Sequence, residues 1–214
     1  VPVLAYIVVA VAAYLLGSIP TGFLVAKAKG IDIRAVGSGN IGATNAMRVL
    51  GVSAGSFVLL VDGLKGFFAC SIVADVFSIF YHDKYLAGDV EPLEIFAGIF
   101  AVLGHNYTCW LKFKGGKGIA TTAGVYLALA PWAVLIALVI FILAVLVTKY
   151  VSVGSIAAAI ALPAAVWAMT PDNLFLGIVT TALGALAIYK HKSNIQRLMA
   201  GTESRLGKKP GAAK

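Results

Sequence analysis

A succession of apolar runs, each about as long as a bilayer is thick and most of them closed by basic residues, limits this fold more than any other feature. A crossing helix needs about 20 apolar residues. Residues 3–25 make the first such run, closed by Lys27 and Lys29. The second, 53–79, carries Asp62 and Lys65 within it, and the third, 93–110, ends in Leu111-Lys112-Phe113-Lys114. The apolar stretch 119–148 is too long for one straight crossing; Pro131 offers the break, giving a short fourth span and a fifth over 131–148. Residues 152–169 form the sixth, Thr170-Pro171-Asp172-Asn173 the turn, and 174–189 the seventh. The expectation is an all-α polytopic membrane protein of seven transmembrane helices, or of five if the short ones are re-entrant. Composition agrees, because only 12% of the 214 residues are charged, about half the share of a soluble domain. Basic residues follow the first run rather than precede it, so it reads as a retained span and not as a signal peptide.

Lys and Arg set the orientation. With seven spans, fifteen of the seventeen fall in segments 26–52, 111–118, 149–151 and 190–214, while the opposite loops carry Asp83, Asp89, Glu91, Glu94 and Asp172. The positive-inside rule then places the N-terminus outside and the C-terminus in the cytoplasm. The net charge of +8 fits polybasic segments facing anionic lipid, with no aromatic-interleaved surface for nucleic acid. Residues 1–200 read as a single transmembrane domain and 201–214 as a basic, flexible tail. No internal repeat aligns, which weakens a transporter of duplicated halves. Cys70 and Cys109 lie in apolar stretches and read as packing residues, with neither a disulfide nor a metal site.

Three polar segments on the basic side carry the chemistry. In Gly37-Ser38-Gly39-Asn40-Ile41-Gly42-Ala43-Thr44-Asn45, glycines let the backbone turn several N–H groups toward one point, a concavity suited to phosphate. A helix starting near Ala43 adds free amides, and Arg48 adds a bidentate cation about one turn beyond Thr44. The second segment, Lys112-Phe113-Lys114-Gly115-Gly116-Lys117-Gly118, is a glycine turn with Lys117 at its centre; it lacks the spacing of a Walker A loop. In the third, His191, Asn194 and Leu198 follow helical spacing, so His191 and Asn194 share a face; Arg197 and Glu203 tie the tail to nearby loops or join the site. Ser152 and Ser155 open the sixth span, either reaching the site or capping the helix.

Within the bilayer, Asp62 and Lys65 share one helix face, where charges are costly and face inward. A structural ion pair and a catalytic role both fit. His105 and Asn106 either bridge helices or line the site. Ser18, Pro20 and Thr21 read as a kink with hydroxyls mending the broken ladder. There is no His-x4-Asp acyltransferase motif, no Gly-x-Ser-x-Gly elbow, no metal-ligand cluster and no acidic array for a magnesium nucleotide. The inferred site has phosphate-binding groups from three loops, no protein nucleophile, and His191 as the one candidate base.

Ser18-Ile19-Pro20-Thr21-Gly22, the segment from Gly37 to Arg48, Asp62-Gly63-Leu64-Lys65-Gly66, Gly104-His105-Asn106, Gly115-Gly116-Lys117-Gly118 and Lys190-His191-x-x-Asn194-Ile195-x-Arg197-Leu198 together resemble the bacterial membrane acyl-phosphate:glycerol-3-phosphate acyltransferases. The match spans nearly the whole chain in order. It departs at Asn106-Tyr107-Thr108-Cys109-Trp110 and in a longer outer segment over 81–91.

The resemblance implies an enzyme of the bacterial inner membrane, with its site at the cytoplasmic face. It would move an acyl group from acyl-phosphate to the 1-hydroxyl of glycerol 3-phosphate, releasing lysophosphatidic acid and phosphate. No cofactor or metal is implied; the partners are the two substrates and membrane lipid, and the protein works as a monomer. Ser38, Thr44, Asn45, Arg48, Lys117, His191 and Asn194 are the expected catalytic group. Gly37, Gly39, Asn40, Gly42, His105, Asn106, Gly115, Gly116 and Ser155 are the expected substrate contacts. The mixed anhydride is already activated, so orientation and charge stabilisation suffice if a substrate phosphate oxygen takes the proton; the competing mechanism uses His191 as base. A different class, a membrane carrier or channel for a phosphorylated metabolite, would use the same glycines and the Asp62–Lys65 pair.

Overall fold

The computed structural model describes residues 3–73 and 91–207. The outer segment 81–90, the end of the second expected span and the last residues of the tail (208–214) lie outside the described residues. Regular structure among those described is helical throughout. The chain divides into two compact units, Val1–Leu129 and Ala130–Lys214.

The first unit holds α1 (Val3–Ser18), α2 (Thr21–Lys27), α3 (Ala43–Leu50), α4 (Val52–Phe68) with a π-helical extension (Ala69–Val73), α5 (Glu91–Asn106), a 3-10 turn (Cys109–Leu111) and α6 (Ile119–Leu129). Ile19 and Pro20 separate α1 from α2, since proline cannot continue the amide ladder. Side chains from elsewhere satisfy the carbonyls this break exposes. Thr108 Oγ1 donates to Ser18 O (2.6 Å) and Lys65 Nζ to Ile19 O (2.9 Å). The kink expected from Ser18, Pro20 and Thr21 is present, but its menders are Thr108 and Lys65.

Small residues set how closely these helices pack. On the α1–α5 crossing, a Cβ at Gly17 would run into the backbone of Ala101, and one at Gly104 into Tyr14 O. Ala5, Val9 and Ala13 of α1 pack with Leu93, Ala97 and Ala101 of α5 in one apolar cluster. A second cluster, of Ala26, Ile33, Ile41, Ala46, Val58 and Leu111, lies beneath the segment 31–42. It gives an otherwise irregular loop an apolar seat, and Leu111 brings the approach to the second glycine turn onto it.

The second unit holds α7 (Pro131–Thr148), α8 (Val151–Met169), α9 (Leu174–Lys190) and α10 (Lys192–Met199). In α7 only Ala133 and Ala137 are buried, while Trp132, Leu138, Leu143 and Val147 stand exposed, the pattern of a lipid-facing helix. Trp167 Nε1 donates to Thr181 Oγ1 (3.0 Å), tying α8 to α9.

Helices occupy the described part of all seven expected segments. By length and apolarity four can cross a bilayer: Val3–Lys27 taken through its kink, Val52–Ile72, Pro131–Thr148 and Val151–Met169. A fifth arises if Leu174–Lys190 and Lys192–Met199, bent by 52°, count as one.

Candidate active site

The segment from Gly37 to Gly42 is built around one side chain. Asn45, on the first turn of α3 and only 2% exposed, accepts from Ser38 N–H (2.9 Å). Its amide donates to the carbonyls of Asn40 (2.9 Å), Val36 (3.1 Å) and Ile33 (3.3 Å). Asn40 Oδ1 in turn accepts from Gly42 N–H (2.8 Å). Gly37 (φ +62°) and Gly39 (φ +70°) take left-handed conformations, and a Cβ at Gly37 would collide with Asn45 Oδ1. Asn45 therefore shapes the loop from beneath. The amides of Ser38 and Gly42 are already engaged within the loop.

What the loop leaves without a partner among the described residues is its exposed hydroxyls, Ser38 and Thr44, and the amides of Ala43 and Thr44 at the start of α3. Arg48, half-buried on the last turn of α3, makes no hydrogen bond or ion pair with any described residue. Arg34 differs, because Asp32 holds it in a bidentate pair (2.9 and 2.8 Å). The hydrogen bond from Arg34 in turn lowers the Asp32 carboxyl to about 2. The loop's uncompensated cation is thus Arg48.

The second glycine segment folds back on the end of α5. Gly115 N–H donates to Asn106 O (3.2 Å) and Gly116 N–H to His105 O (3.0 Å), satisfying carbonyls the helix end leaves open. The amides of Gly115 and Gly116, two expected substrate contacts, are occupied in this way. Lys112 and Phe113 take left-handed backbone conformations; Lys112, Phe113 and Lys114 are exposed, while Gly116 and Gly118 are buried.

Beneath this loop, inside the helices, lie Asp62 and Lys65, each side chain 3% exposed and paired at 2.8 Å. Thr21 Oγ1 donates to Asp62 Oδ1 (3.1 Å), and His105 Nδ1 stands 3.6 Å from the same oxygen. Of the two roles open from the sequence, this geometry is that of an internal ion pair. The Thr21 link was not legible from the sequence, since 41 residues separate it from Asp62.

In the second unit, His191 stands where α9 meets α10, 3% exposed, its Nδ1–H donating to Ala187 O (2.8 Å). That bond puts the lone pair of the neutral ring on Nε2. Glu203 is a hub: Oε1 accepts from Asn194 Nδ2 (2.8 Å) and Ser152 Oγ (3.0 Å), and Oε2 from Arg197 Nε (2.7 Å). Burial pushes the Glu203 carboxyl up, but hydrogen bonds from Asn194 and Arg197 outweigh it and hold the carboxyl below its ordinary range. Ser155 Oγ donates to Val151 O (3.0 Å), a bond within its own helix. Past Gly201, where the basic tail begins, Thr202 N–H donates to Arg197 O (2.8 Å), Leu206 N–H to Lys149 O (2.8 Å) and Arg205 Nε to Tyr150 OH (2.9 Å).

The chain is similar to known proteins over most of its length. The family model described as glycerol-3-phosphate acyltransferase matches residues 7–201. The glycerol-3-phosphate acyltransferase of Trichlorobacter lovleyi is 48% identical over 193 residues, covering 90% of this chain and 93% of the relative. That of Geobacter sulfurreducens is 47% identical with the same coverage, 90% and 93%. The crystal structure of PlsY (YgiH), an integral membrane glycerol 3-phosphate acyltransferase, is similar in its glycerol 3-phosphate form, with TM-score 0.83 and 40% identity over 94% of this chain and 96% of that one. Its lysophosphatidic acid form gives TM-score 0.79, again at 40% identity, over 94% and 95%. With helices as the regular structure of its described residues and a family match over nearly its full length, this chain belongs to the glycerol-3-phosphate acyltransferase family of integral membrane acyltransferases.

Proposed function

We propose that the protein transfers an acyl group from acyl-phosphate to the 1-hydroxyl of glycerol 3-phosphate, giving 1-acyl-glycerol 3-phosphate and inorganic phosphate. The hydroxyl oxygen attacks the acyl carbonyl carbon, the bond from that carbon to the phosphate oxygen breaks, and the hydroxyl proton passes to a substrate phosphate oxygen. The observation that carries this reading is the loop held by Asn45, which keeps two exposed hydroxyls, the amides of Ala43 and Thr44 and the uncompensated Arg48 along one short segment, with no base hydrogen-bonded to either hydroxyl among the described residues. Such a site binds and orients an already activated acyl-phosphate anhydride rather than forming a covalent intermediate. The loop from Gly37 to Thr44, held by Asn45, takes the phosphate of the donor, and Ser38, Arg48 and Lys117 take that of glycerol 3-phosphate. The candidates in the second unit are Ser155, His191 and Asn194.

The reading includes seven crossings, an outside N-terminus, a cytoplasmic site in the inner membrane and a working monomer. Purified protein in detergent, given palmitoyl-phosphate and glycerol 3-phosphate without CoA or metal, should release phosphate and lysophosphatidic acid in equal amounts. Lysophosphatidic acid from palmitoyl-CoA in place of palmitoyl-phosphate would overturn the assigned donor. Phosphate without the lipid product would mark a hydrolase instead.

A further inference from the structure

We infer that the buried cluster of Asp62, Lys65 and His105 is a positioning device for the Gly115–Gly116–Lys117 turn, setting where Lys117 meets glycerol 3-phosphate. The inference rests on the assignment of Lys117 to the acceptor phosphate. A carboxylate and an ammonium inside a membrane helix bundle are costly and persist where something uses them. Here three groups from three helices converge on a single oxygen, Asp62 Oδ1: Lys65 Nζ at 2.8 Å, Thr21 Oγ1 at 3.1 Å and His105 Nδ1 at 3.6 Å. Lys65 also donates to Ile19 O at the α1–α2 break (2.9 Å), so the carboxylate is fixed against the kink.

The third arm is the one that leads to the site. At 3.6 Å the carboxylate acts on His105 electrostatically, turning its Nδ1 edge toward Asp62. The opposite edge of the ring then meets Gly116, where an added Cβ would collide with Nε2. His105 holds the same residue by its backbone as well, through the bond from Gly116 N–H to His105 O (3.0 Å). The turn therefore rests on the imidazole on one side and on the end of α5 on the other, with Lys117 next in the chain. An internal ion pair that served stability alone would have no reason to include a ring lodged under a glycine of the substrate loop.

The test uses full-length protein in detergent, with initial rates varied in glycerol 3-phosphate. Asp62→Asn/Lys65→Met removes both charges together, which avoids leaving one buried alone. His105→Gln keeps a polar side chain but loses the ring. Lys117→Ala is the reference. Each of the first two variants should raise KM for glycerol 3-phosphate by about tenfold, as Lys117→Ala does, with kcat within about threefold and KM for palmitoyl-phosphate unchanged. A folded double variant with wild-type KM overturns the inference. If the double variant does not fold, His105→Gln decides alone by the same criterion. A wild-type KM in Lys117→Ala, beside raised values in the other two, would sink the assignment of Lys117 and leave the cluster acting on another group of the turn. Raised KM in Lys117→Ala alone would sink the cluster's role and leave the assignment standing.

Discussion

Asn45 carries more of the local architecture than any group that faces outward. Its side chain satisfies one amide and three carbonyls of a loop that has no ladder of its own. Each such group left buried and unpaired costs about 1–3 kcal/mol. Asn45→Ala should therefore lower the melting temperature and cut kcat/KM by at least about tenfold. Asn45→Asp should be the worse of the two in a melting experiment, because it turns a carboxylate oxygen toward three carbonyls. Wild-type activity in Asn45→Ala would mean that the glycines alone hold the loop.

His191 admits an equally sharp reading. A general base contributes about 100-fold to 10,000-fold, so His191→Gln should retain activity well above that loss if a substrate phosphate takes the proton. A drop in kcat of that size with unchanged KM would install His191 as the base. Asn45, Arg48 and Lys117 were visible in the sequence because their neighbours in the chain are glycines and hydroxyls with no other obvious use. What Asn45 does was not visible, since a polar residue in a glycine loop reads the same whether it faces substrate or backbone. Thr21 and His105 needed the fold, because their partner Asp62 lies 41 residues away from one and 43 from the other.

At the scale of elements, apolar length located the helices well and their ends less well. Proline fixed the start of α7 at Pro131, where no amide is needed. The third apolar run suggested helix to residue 110, but α5 ends at Asn106 and the chain turns through Thr108, whose hydroxyl holds Ser18 O. Apolarity reports burial or lipid contact, not where the backbone turns. Crossings are set by contacts that sequence does not announce. On the α4–α6 crossing, a Cβ at Gly124 would strike Gly63 O, whereas one at Gly63 would lie 3.7 Å from Ala120 O, an ordinary contact. Gly124→Ala should lower the melting temperature in detergent markedly, and Gly63→Ala should leave it within about 2 °C of wild type. Equal effects would show that the two helices can slide.

Glu203 binds α10 to the start of α8, and its depressed acidity makes that link pH-dependent. Its contribution is complete above the ordinary glutamate value of 4.5 and is lost as pH falls through the lower folded-state value. Melting curves of wild type and Glu203→Gln should differ most near neutrality and converge in acid. A gap that stays constant with pH would remove Glu203's charge from the account.

For the whole molecule, charge placement is the strongest topological signal, and it can be read independently of the site. With seven spans, fifteen of seventeen basic residues would fall on one side of the membrane, and the positive-inside rule would then put the N-terminus outside. In a background lacking Cys70 and Cys109, single reporters at exposed positions resolve this directly: Lys29→Cys, Trp132→Cys, Asp172→Cys and Lys192→Cys. A membrane-impermeant maleimide on spheroplasts should label positions 132 and 172 only, and on inside-out vesicles positions 29 and 192 only. Reversal of both sets would invert the protein. Labelling of position 132 from neither side, with the others as expected, would remove two of the seven crossings and make the short helix Ile119–Leu129 re-entrant. In that case Lys117, at its start, would still face the cytoplasm. The substrate side and the span count are thus separable, and the position 132 reporter bears on the second alone.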